Sequence, residues 1–225
     1  MRLRKLQVAT LALSVMCVAT SAFAGPIVTG FTGGSSFNIF YGASTGDVVG
    51  FRFTADAALT LTKLGILVDP FDGILHSSHE VGLWRTSDQT LLGSVVVNPA
   101  TAQLIDGFLY EDLGAPIALS AGTGYTLGAM YTATDSDSYL SGPTTLSTDN
   151  ISATNGVFPS AGDIGFVFPA LDSANLARLG PNAIGNVNAA IPEPSSLALL
   201  GISVMVLVAC YWRRTVASRR MRQVA

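Results

Sequence analysis

Between residues 25 and 190 the apolar residues occur in short runs that Gly, Asp, Ser and Pro interrupt. The runs are rich in Val, Thr, Phe and Gly, and none sustains the 3.6-residue period of an amphipathic helix. Short apolar runs at a spacing of about 8–12 residues, separated by turn-forming residues, are typical of antiparallel β proteins. This stretch therefore predicts an all-β fold, an antiparallel β-sandwich of the jelly-roll or Ig-like kind with about nine strands.

Alternation of apolar and polar residues places the individual strands. Residues 79–86 and 90–97 flank a turn at Ser87–Gln89, so we expect them to form a hairpin. Lys63 and Gly65 interrupt an apolar run and suggest either a β-bulge or a sheet edge. The predicted strands are 48–53, 59–68, 79–86, 90–97, 108–113, 116–119, 125–131 and 164–168.

Two segments depart from this rhythm. Residues 133–163 are dominated by Ser, Thr, Asp, Asn and Gly, which predicts a long polar loop. Short strands at Tyr139–Leu140 and Val157–Phe158 are the alternative for this segment. Residues 170–190 are rich in Asn, Ala and Gly and predict a linker, so the sandwich domain is expected to span residues 25–169.

The N-terminus has the pattern of a secretory signal peptide. Arg2, Arg4 and Lys5 precede an apolar run, and Ala22 and Ala24 provide the small-x-small pattern that signal peptidase recognises. Residues 1–24 are therefore predicted to be a signal peptide cleaved after Ala24. An uncleaved membrane anchor is the alternative.

A second apolar segment lies near the C-terminus. Residues 195–212 contain no charge, and as a helix they would extend about 27 Å, close to the hydrocarbon thickness of about 30 Å. The residues after this segment include five arginines and no acidic residue. This arrangement predicts a single transmembrane helix at 195–212 and a basic cytoplasmic tail at 215–225. A buried helix of a soluble domain is the alternative. The arginines that follow the segment are Arg213, Arg214, Arg219, Arg220 and Arg222.

The charge and cysteine content of residues 25–190 exclude several classes of function. This stretch has four basic and fourteen acidic residues, a balance that argues against nucleic acid as a partner. Both cysteines lie outside it, at Cys17 and Cys210, so disulfides, thiolate metal sites and a cysteine nucleophile are not expected there.

A Pro-Glu-Pro sequence stands directly before the C-terminal apolar segment. Pro194 suits the first turn of a helix, Pro192 keeps the preceding chain extended, and Glu193 lies beside the positive end of the helix dipole. Followed by the apolar run and arginines, residues 191–214 resemble the PEP-CTERM sorting signal of Gram-negative bacteria that make exopolysaccharide. A stiff stop before a membrane helix is the alternative, and the tail at 215–225 is longer than the usual ending of this family.

This resemblance implies a route rather than a reaction. It implies that exosortase, a membrane-embedded cysteine protease-transpeptidase, removes the helix of a membrane-anchored precursor and delivers the protein to the cell surface or extracellular matrix. Residues 79–84, 90–93, 107–110 and 119–125 also resemble an uncharacterised β-sandwich domain of secreted bacterial proteins. That second resemblance implies a fold and an extracellular location, and it carries no catalytic residues.

Most sequence motifs of enzymes and metal sites are missing. The sequence has no Walker loop and no H-E-x-x-H. His76 and His79 would point to opposite faces of one strand, so we expect no metal site unless His76 lies in a loop. Residues 69–73 and 135–137 are oxygen-rich and leave a weak calcium site as the one cofactor to consider, although Asp is also an ordinary turn residue.

Three aromatic residues suggest a binding surface. Trp84, Tyr110 and Tyr131 would form a glycan-contacting platform if neighbouring strands align, and filling of the sandwich core is the alternative.

Taken together, these patterns lead us to expect a non-enzymatic, exported surface or matrix protein. A carbohydrate-binding module associated with exopolysaccharide is the second hypothesis, and a glycan-processing enzyme is the least favoured.

Overall fold

The computed structural model describes residues 24–37, 46–69, 71–132, 134–188, 200–208 and 211–212. The chain divides into two units, Met1–Asn188 and Ala189–Ala225. In the described part of the first unit all strand pairs are antiparallel. The predicted all-β class is therefore confirmed, whereas the choice between jelly-roll and Ig-like topology stays a prediction.

Sixteen strands are described, and they form two large and two small sheets. In chain order they are β1 (Gly25–Pro26), β2 (Val28–Thr32), β3 (Ser35–Phe37), β4 (Asp47–Ala55), β5 (Leu59–Leu67), β6 (His79–Arg85), β7 (Leu91–Val97), β8 (Gln103–Ile105), β9 (Phe108–Leu119), β10 (Gly124–Tyr131), β11 (Tyr139–Ser141), β12 (Thr145–Thr148), β13 (Ile151–Phe158), β14 (Leu171–Asp172), β15 (Arg178–Leu179) and β16 (Pro181–Val187). The large sheets have the orders β1-β16-β5-β9-β8 and β14-β13-β4-β10-β6-β7, and the small ones β15-β11-β3 and β12-β2.

One apolar core is shared by the two large sheets. In the six-stranded sheet Leu127 of β10 lies opposite Phe51 of β4 on one side and Leu83 of β6 on the other. These side chains join Leu61 and Ile66 of β5 in a single buried cluster, and all five are fully buried. Because the cluster draws on both sheets, they pack face to face as a sandwich. Each such side chain contributes about 1.5–3 kcal/mol by leaving water.

The predicted hairpin and bulge are both present. Strands β6 and β7 pair antiparallel across the short turn, which confirms the hairpin. Strand β5 has a register shift between Leu61 and Lys63, and it lies between β16 and β9, so the bulge is confirmed and the sheet edge is wrong. Gly65 stands where a Cβ atom would lie 2.3 Å from the ring of Tyr110, so the ring occupies the space that a side chain would need.

The predicted polar loop at 133–163 contains regular structure. Strands β11, β12 and β13 lie within it, and β13 pairs with β4 in the six-stranded sheet. The loop prediction was wrong, and the alternative of short strands is confirmed. The sequence misleads here because β13 exposes Ser152 and Thr154 on one side, so its composition resembles that of a loop.

The predicted linker at 170–190 is also wrong over most of its length. Strand β16 lies inside the five-stranded sheet between β1 and β5, and Asn182, Ala183 and Ile184 are buried. Small residues that read as flexible are used here for close packing. The predicted strand at 164–168 is absent, since this segment is irregular and places Phe166 and Phe168 against Trp84.

The C-terminal unit contains a helix at residues 200–208, all of whose residues are exposed. Among the described residues, no helix combines the length and apolar character that a membrane span requires. The predicted span at 195–212 lies partly outside the described residues. Residues 1–23 of the predicted signal peptide and the basic tail at 215–225 lie wholly outside the described residues.

Candidate functional site

The two oxygen-rich loops of the sequence lie side by side in the structure. The Asp69 carboxylate accepts a hydrogen bond from the main-chain N–H of Ser138 at 2.8 Å. In return, the Asp137 carboxylate accepts the main-chain N–H groups of His76 at 2.7 Å and Ser77 at 2.9 Å. We name the group that joins these loops the Asp-His cluster. Its members are Asp69, Asp72, His76, His79, Asp135 and Asp137.

Short-range hydrogen bonds set the shape of the first loop. Asp69 accepts the N–H of Phe71 at 2.7 Å and Asp72 accepts the N–H of Ile74 at 2.9 Å, which is the Asx-turn geometry that Asp favours. The N–H of Gly73 donates to the carbonyl of Asp69 at 2.8 Å. Gly73 has a φ of 78°, a conformation that glycine adopts without strain.

His79, at the start of β6, is held between two oxygen atoms. Its Nδ1 lies 2.8 Å from the carbonyl oxygen of Met130, and its Nε2 lies 2.8 Å from Oδ2 of Asp137. A carbonyl oxygen only accepts, so Nδ1 carries a proton, assigned here from the hydrogen-bond network. The side chains of His79 and Asp137 are both buried, so the contact between Nε2 and the carboxylate is closed to solvent.

Asp137 is the carboxylate most strongly held by the cluster. Burial works to raise its pKa, but hydrogen bonds from His79, from the N–H groups of His76 and Ser77, and from the His76 ring outweigh burial. The pKa of Asp137 is therefore lowered from the usual 3.8. The loop at 135–137 is thereby tied to the segment that precedes β6.

His76 is the solvent-accessible histidine of the cluster. Its Nδ1 lies 3.1 Å from Asp137 and its Nε2 lies 3.3 Å from Asp72, with 40% of the side chain exposed. The hydrogen bond to Asp137 raises the pKa of His76 above 6.5, partial burial opposes this rise, and the charges of Asp72, Asp137 and Asp69 add to it. His76 is thus the histidine of the cluster that can exchange a proton with solvent.

From the sequence the two histidines could converge only if His76 lay in a loop. His76 does lie in the loop before β6, and both rings contact the Asp137 carboxylate. The described residues contain no group of three or more His, Cys, Asp or Glu side chains placed to hold a metal ion. The carboxylates of Asp69 and Asp137 are occupied by main-chain N–H groups, and both ring nitrogens of His79 are engaged. A metal ion would have to displace these bonds, and weak or absent calcium binding stays a prediction.

The aromatic platform predicted from Trp84, Tyr110 and Tyr131 does not form. The three side chains are only 3%, 1% and 0% exposed. Tyr131 contacts His79 with ring centroids 4.7 Å apart, whereas Trp84 lies under Phe166 on the other face of the same sheet. Tyr110 belongs to the five-stranded sheet. The prediction was wrong because Tyr110 and Tyr131 face the apolar core, whereas Trp84 is covered by Phe166 and Phe168. Alternation alone does not reveal either arrangement.

The buried tyrosines have no acid–base role in this arrangement. Burial raises the pKa of Tyr131 well above 10, and the carboxylates of Asp135, Asp137 and Asp69 raise it further. Burial likewise raises the pKa of Tyr110 far above its ordinary value. Both hydroxyl groups lack a hydrogen-bond partner within the described part of the chain, so they remain neutral and fill space.

A pocket of about 350 Å³ opens beside the Asp-His cluster. The sequence pattern identified Asp69 and Asp72 of the pocket as residues of an oxygen-rich loop. It did not predict that Ser36 of strand β3 and the ring of Phe71 would complete the pocket. Strand β3 reaches the site by pairing with β11, which sequence spacing does not predict. The pocket is bounded by Ser36, Asp69, Phe71, Asp72, Ser136 and Ser138.

The predicted processing sites lie at or beyond the limits of the described structure. Ala24 is the first described residue, and Ala22 lies outside the described residues, as do Pro192, Glu193 and Pro194.

The family model of the PEP-CTERM protein-sorting motif matches residues 190–214. This chain carries a PEP-CTERM sorting motif. No curated protein matches the chain. The motif supports export to the envelope or surface of a Gram-negative bacterium through exosortase-type processing.

Proposed function

We propose that this chain is a non-enzymatic protein of the cell surface or extracellular matrix, which an exosortase releases through its PEP-CTERM motif. The observation that carries the proposal is the position of the motif. The folded unit ends at Asn188 and the family match begins at residue 190. Cleavage at the motif therefore leaves every strand of the sandwich in place.

The C-terminal segment supports a membrane-held precursor. Residues 195–212 carry no charge, and the described helix at 200–208 exposes apolar side chains such as Met205 and Leu207 all around its axis. An exposed helix that is apolar on every face is suited to lipid rather than to water. The five arginines that follow favour a cytoplasmic end for the segment.

The Asp-His cluster supports a non-enzymatic role. The side chains of His79 and Asp137 are 1% and 0% exposed, so a substrate cannot touch them without opening the loops. His76 is accessible, but its two ring nitrogens face carboxylates rather than a serine, threonine or cysteine nucleophile. The cluster is therefore suited to joining two loops.

Mass spectrometry of the protein isolated from its own cells tests this proposal. We expect the N-terminus at Gly25 and the loss of residues 195–225 from the surface-associated form. Pro192→Ala and Glu193→Ala should instead accumulate the uncut chain in the membrane fraction, whereas Pro99→Ala, in the turn after β7, should be processed normally. A surface form that retains residues 200–225 would refute exosortase release.

A further inference from the structure

The pocket beside the Asp-His cluster combines an exposed aromatic ring with carboxylates and hydroxyl groups. We propose that this pocket binds a short, uncharged saccharide. The proposal concerns the folded unit alone and does not depend on how the chain is sorted. The pocket volume of about 350 Å³ lies near the lower end of the roughly 300–1,000 Å³ typical of small-ligand sites. A pocket of this size suits a short saccharide.

Phe71 supplies an apolar face for a sugar ring. Its side chain is 86% exposed, the most exposed large apolar side chain of the described sandwich unit. The loop that carries it is not a loose excursion, because Asp69 accepts the N–H of Phe71 and Asp72 accepts that of Ile74. The ring is therefore presented to solvent from a hydrogen-bonded turn. Aromatic rings bury apolar area against the C–H faces of a ligand.

Hydroxyl and carboxylate groups on the other walls can bind the sugar hydroxyls. The Asp72 side chain is 43% exposed, and a carboxylate accepts two hydrogen bonds from neighbouring hydroxyl groups. Ser36 and Ser136 are exposed and contribute hydroxyls that both donate and accept. A few polar groups around an apolar face are the usual composition of a small-molecule site.

The charge around the pocket selects against acidic sugars. The carboxylates of Asp69 and Asp72 line the pocket, and the described lining contains no Lys, Arg or His. The two histidines of the cluster are engaged by the Asp137 carboxylate. Like charges brought together in a partly desolvated site repel each other, so a uronate or sulfated unit would be disfavoured. An uncharged saccharide meets no such repulsion and can still donate hydroxyl protons to these carboxylates.

Titration calorimetry of the full-length chain tests the proposal, in a detergent without a sugar headgroup. The probes are oligomers of glucose, galactose and mannose, together with the matching uronate oligomers. We expect at least one neutral oligomer to bind, and its uronate counterpart to bind at least tenfold more weakly. Phe71→Ala should weaken binding by roughly tenfold. Ile74→Ala, an exposed residue of the same loop that does not line the pocket, is the matched control and should bind like the wild type.

Three results would overturn the proposal. The first is that no neutral oligomer binds. The second is that Phe71→Ala and Ile74→Ala have equal affinities, because the ring would then not be part of the site. The third is that calcium ions bind in the absence of any saccharide and that Asp72→Asn abolishes this, which would assign the pocket to a cation. Normal processing of all these variants in cells keeps this test separate from that of sorting.

Discussion

Asp137 joins two loops that are about sixty residues apart in sequence. Its carboxylate receives the N–H groups of His76 and Ser77, the His76 ring and Nε2 of His79. An uncompensated buried donor or charge costs far more than an intact pair contributes. The cluster is therefore more important for holding the loops in place than its ion pairs alone would indicate.

Asp137→Asn should destabilise the sandwich by about 2–4 kcal/mol, because an amide cannot accept all of these donors. Urea unfolding followed by the fluorescence of buried Trp84 measures the change. Asp112→Asn is the control, since the Asp112 side chain is 77% exposed and its pair with Lys63 lies at the surface. The control should lose less than about 1 kcal/mol. Equal losses in both variants would show that Asp137 has no special role.

Stability should be greatest at mildly acidic pH. The pKa of Asp137 is lowered by folding, so its contribution is complete above the unfolded value near 3.8 and is lost as the pH falls through the lower folded value. The pKa of His76 is raised by folding, so its contribution is complete below 6.5 and is lost as the pH rises through the higher folded value. The urea midpoint should therefore decline on both sides of this window.

The variant His76→Gln separates the two limbs of this profile. It should remove the decline above pH 6.5 and leave the acid limb in place, because Gln does not titrate. Urea midpoints measured from pH 3 to pH 8 on wild type and variant provide the comparison. Parallel profiles above pH 6.5 would show that another group causes the alkaline decline.

Among the strands, β16 depends on one buried amide. Asn182 is fully buried, its Oδ1 accepts the N–H of Val28 at 3.1 Å, and its Nδ2 donates to the carbonyl of Val28 at 2.9 Å. This side chain therefore satisfies main-chain groups at the start of β2 as well as holding its own strand. A segment with the composition of a linker is in this way fixed inside a sheet.

Asn182→Ala should cost about 1–3 kcal/mol, because it leaves two buried main-chain groups of Val28 without partners. Asn186→Ala, in the same strand but only partly buried, is the matched control and should cost less than about 0.5 kcal/mol. Urea unfolding of both variants decides between them. A loss at Asn186 as large as that at Asn182 would contradict the role given to the buried amide.

For the chain as a whole, the C-terminal boundary of the sandwich lies at Asn188 rather than at residue 169. A chain that ends at Asn188 should keep the urea midpoint of the full-length protein, because every strand is retained. A chain that ends at residue 169 loses β14, β15 and β16, and β16 is an inner strand of the five-stranded sheet. We expect that shorter chain to be unfolded by circular dichroism. A folded product from it would contradict the sheet order.

Local patterns in the sequence were sufficient for the all-β class, the β6–β7 hairpin and the sorting motif, and they limited β5 to a bulge or a sheet edge. Each of these is encoded by neighbouring residues: alternation within a strand, turn residues between two strands, or a proline pair beside an apolar run. The two oxygen-rich loops and the two histidines were also visible as chemistry. Their function was not, because a residue type does not state which partner it faces.

Long-range pairing decided the rest. Whether Trp84, Tyr110 and Tyr131 are exposed depends on what covers each sheet, and the covering segments are distant in sequence. Strands β11, β12, β13 and β16 form because sheet neighbours satisfy their main-chain groups, although much of their sequence is Ser, Thr, Asn, Ala and Gly. Asp137 meets His79 across fifty-eight residues because the chain order of the strands brings their loops together. Such contacts depend on the fold, so only the tertiary structure reveals them.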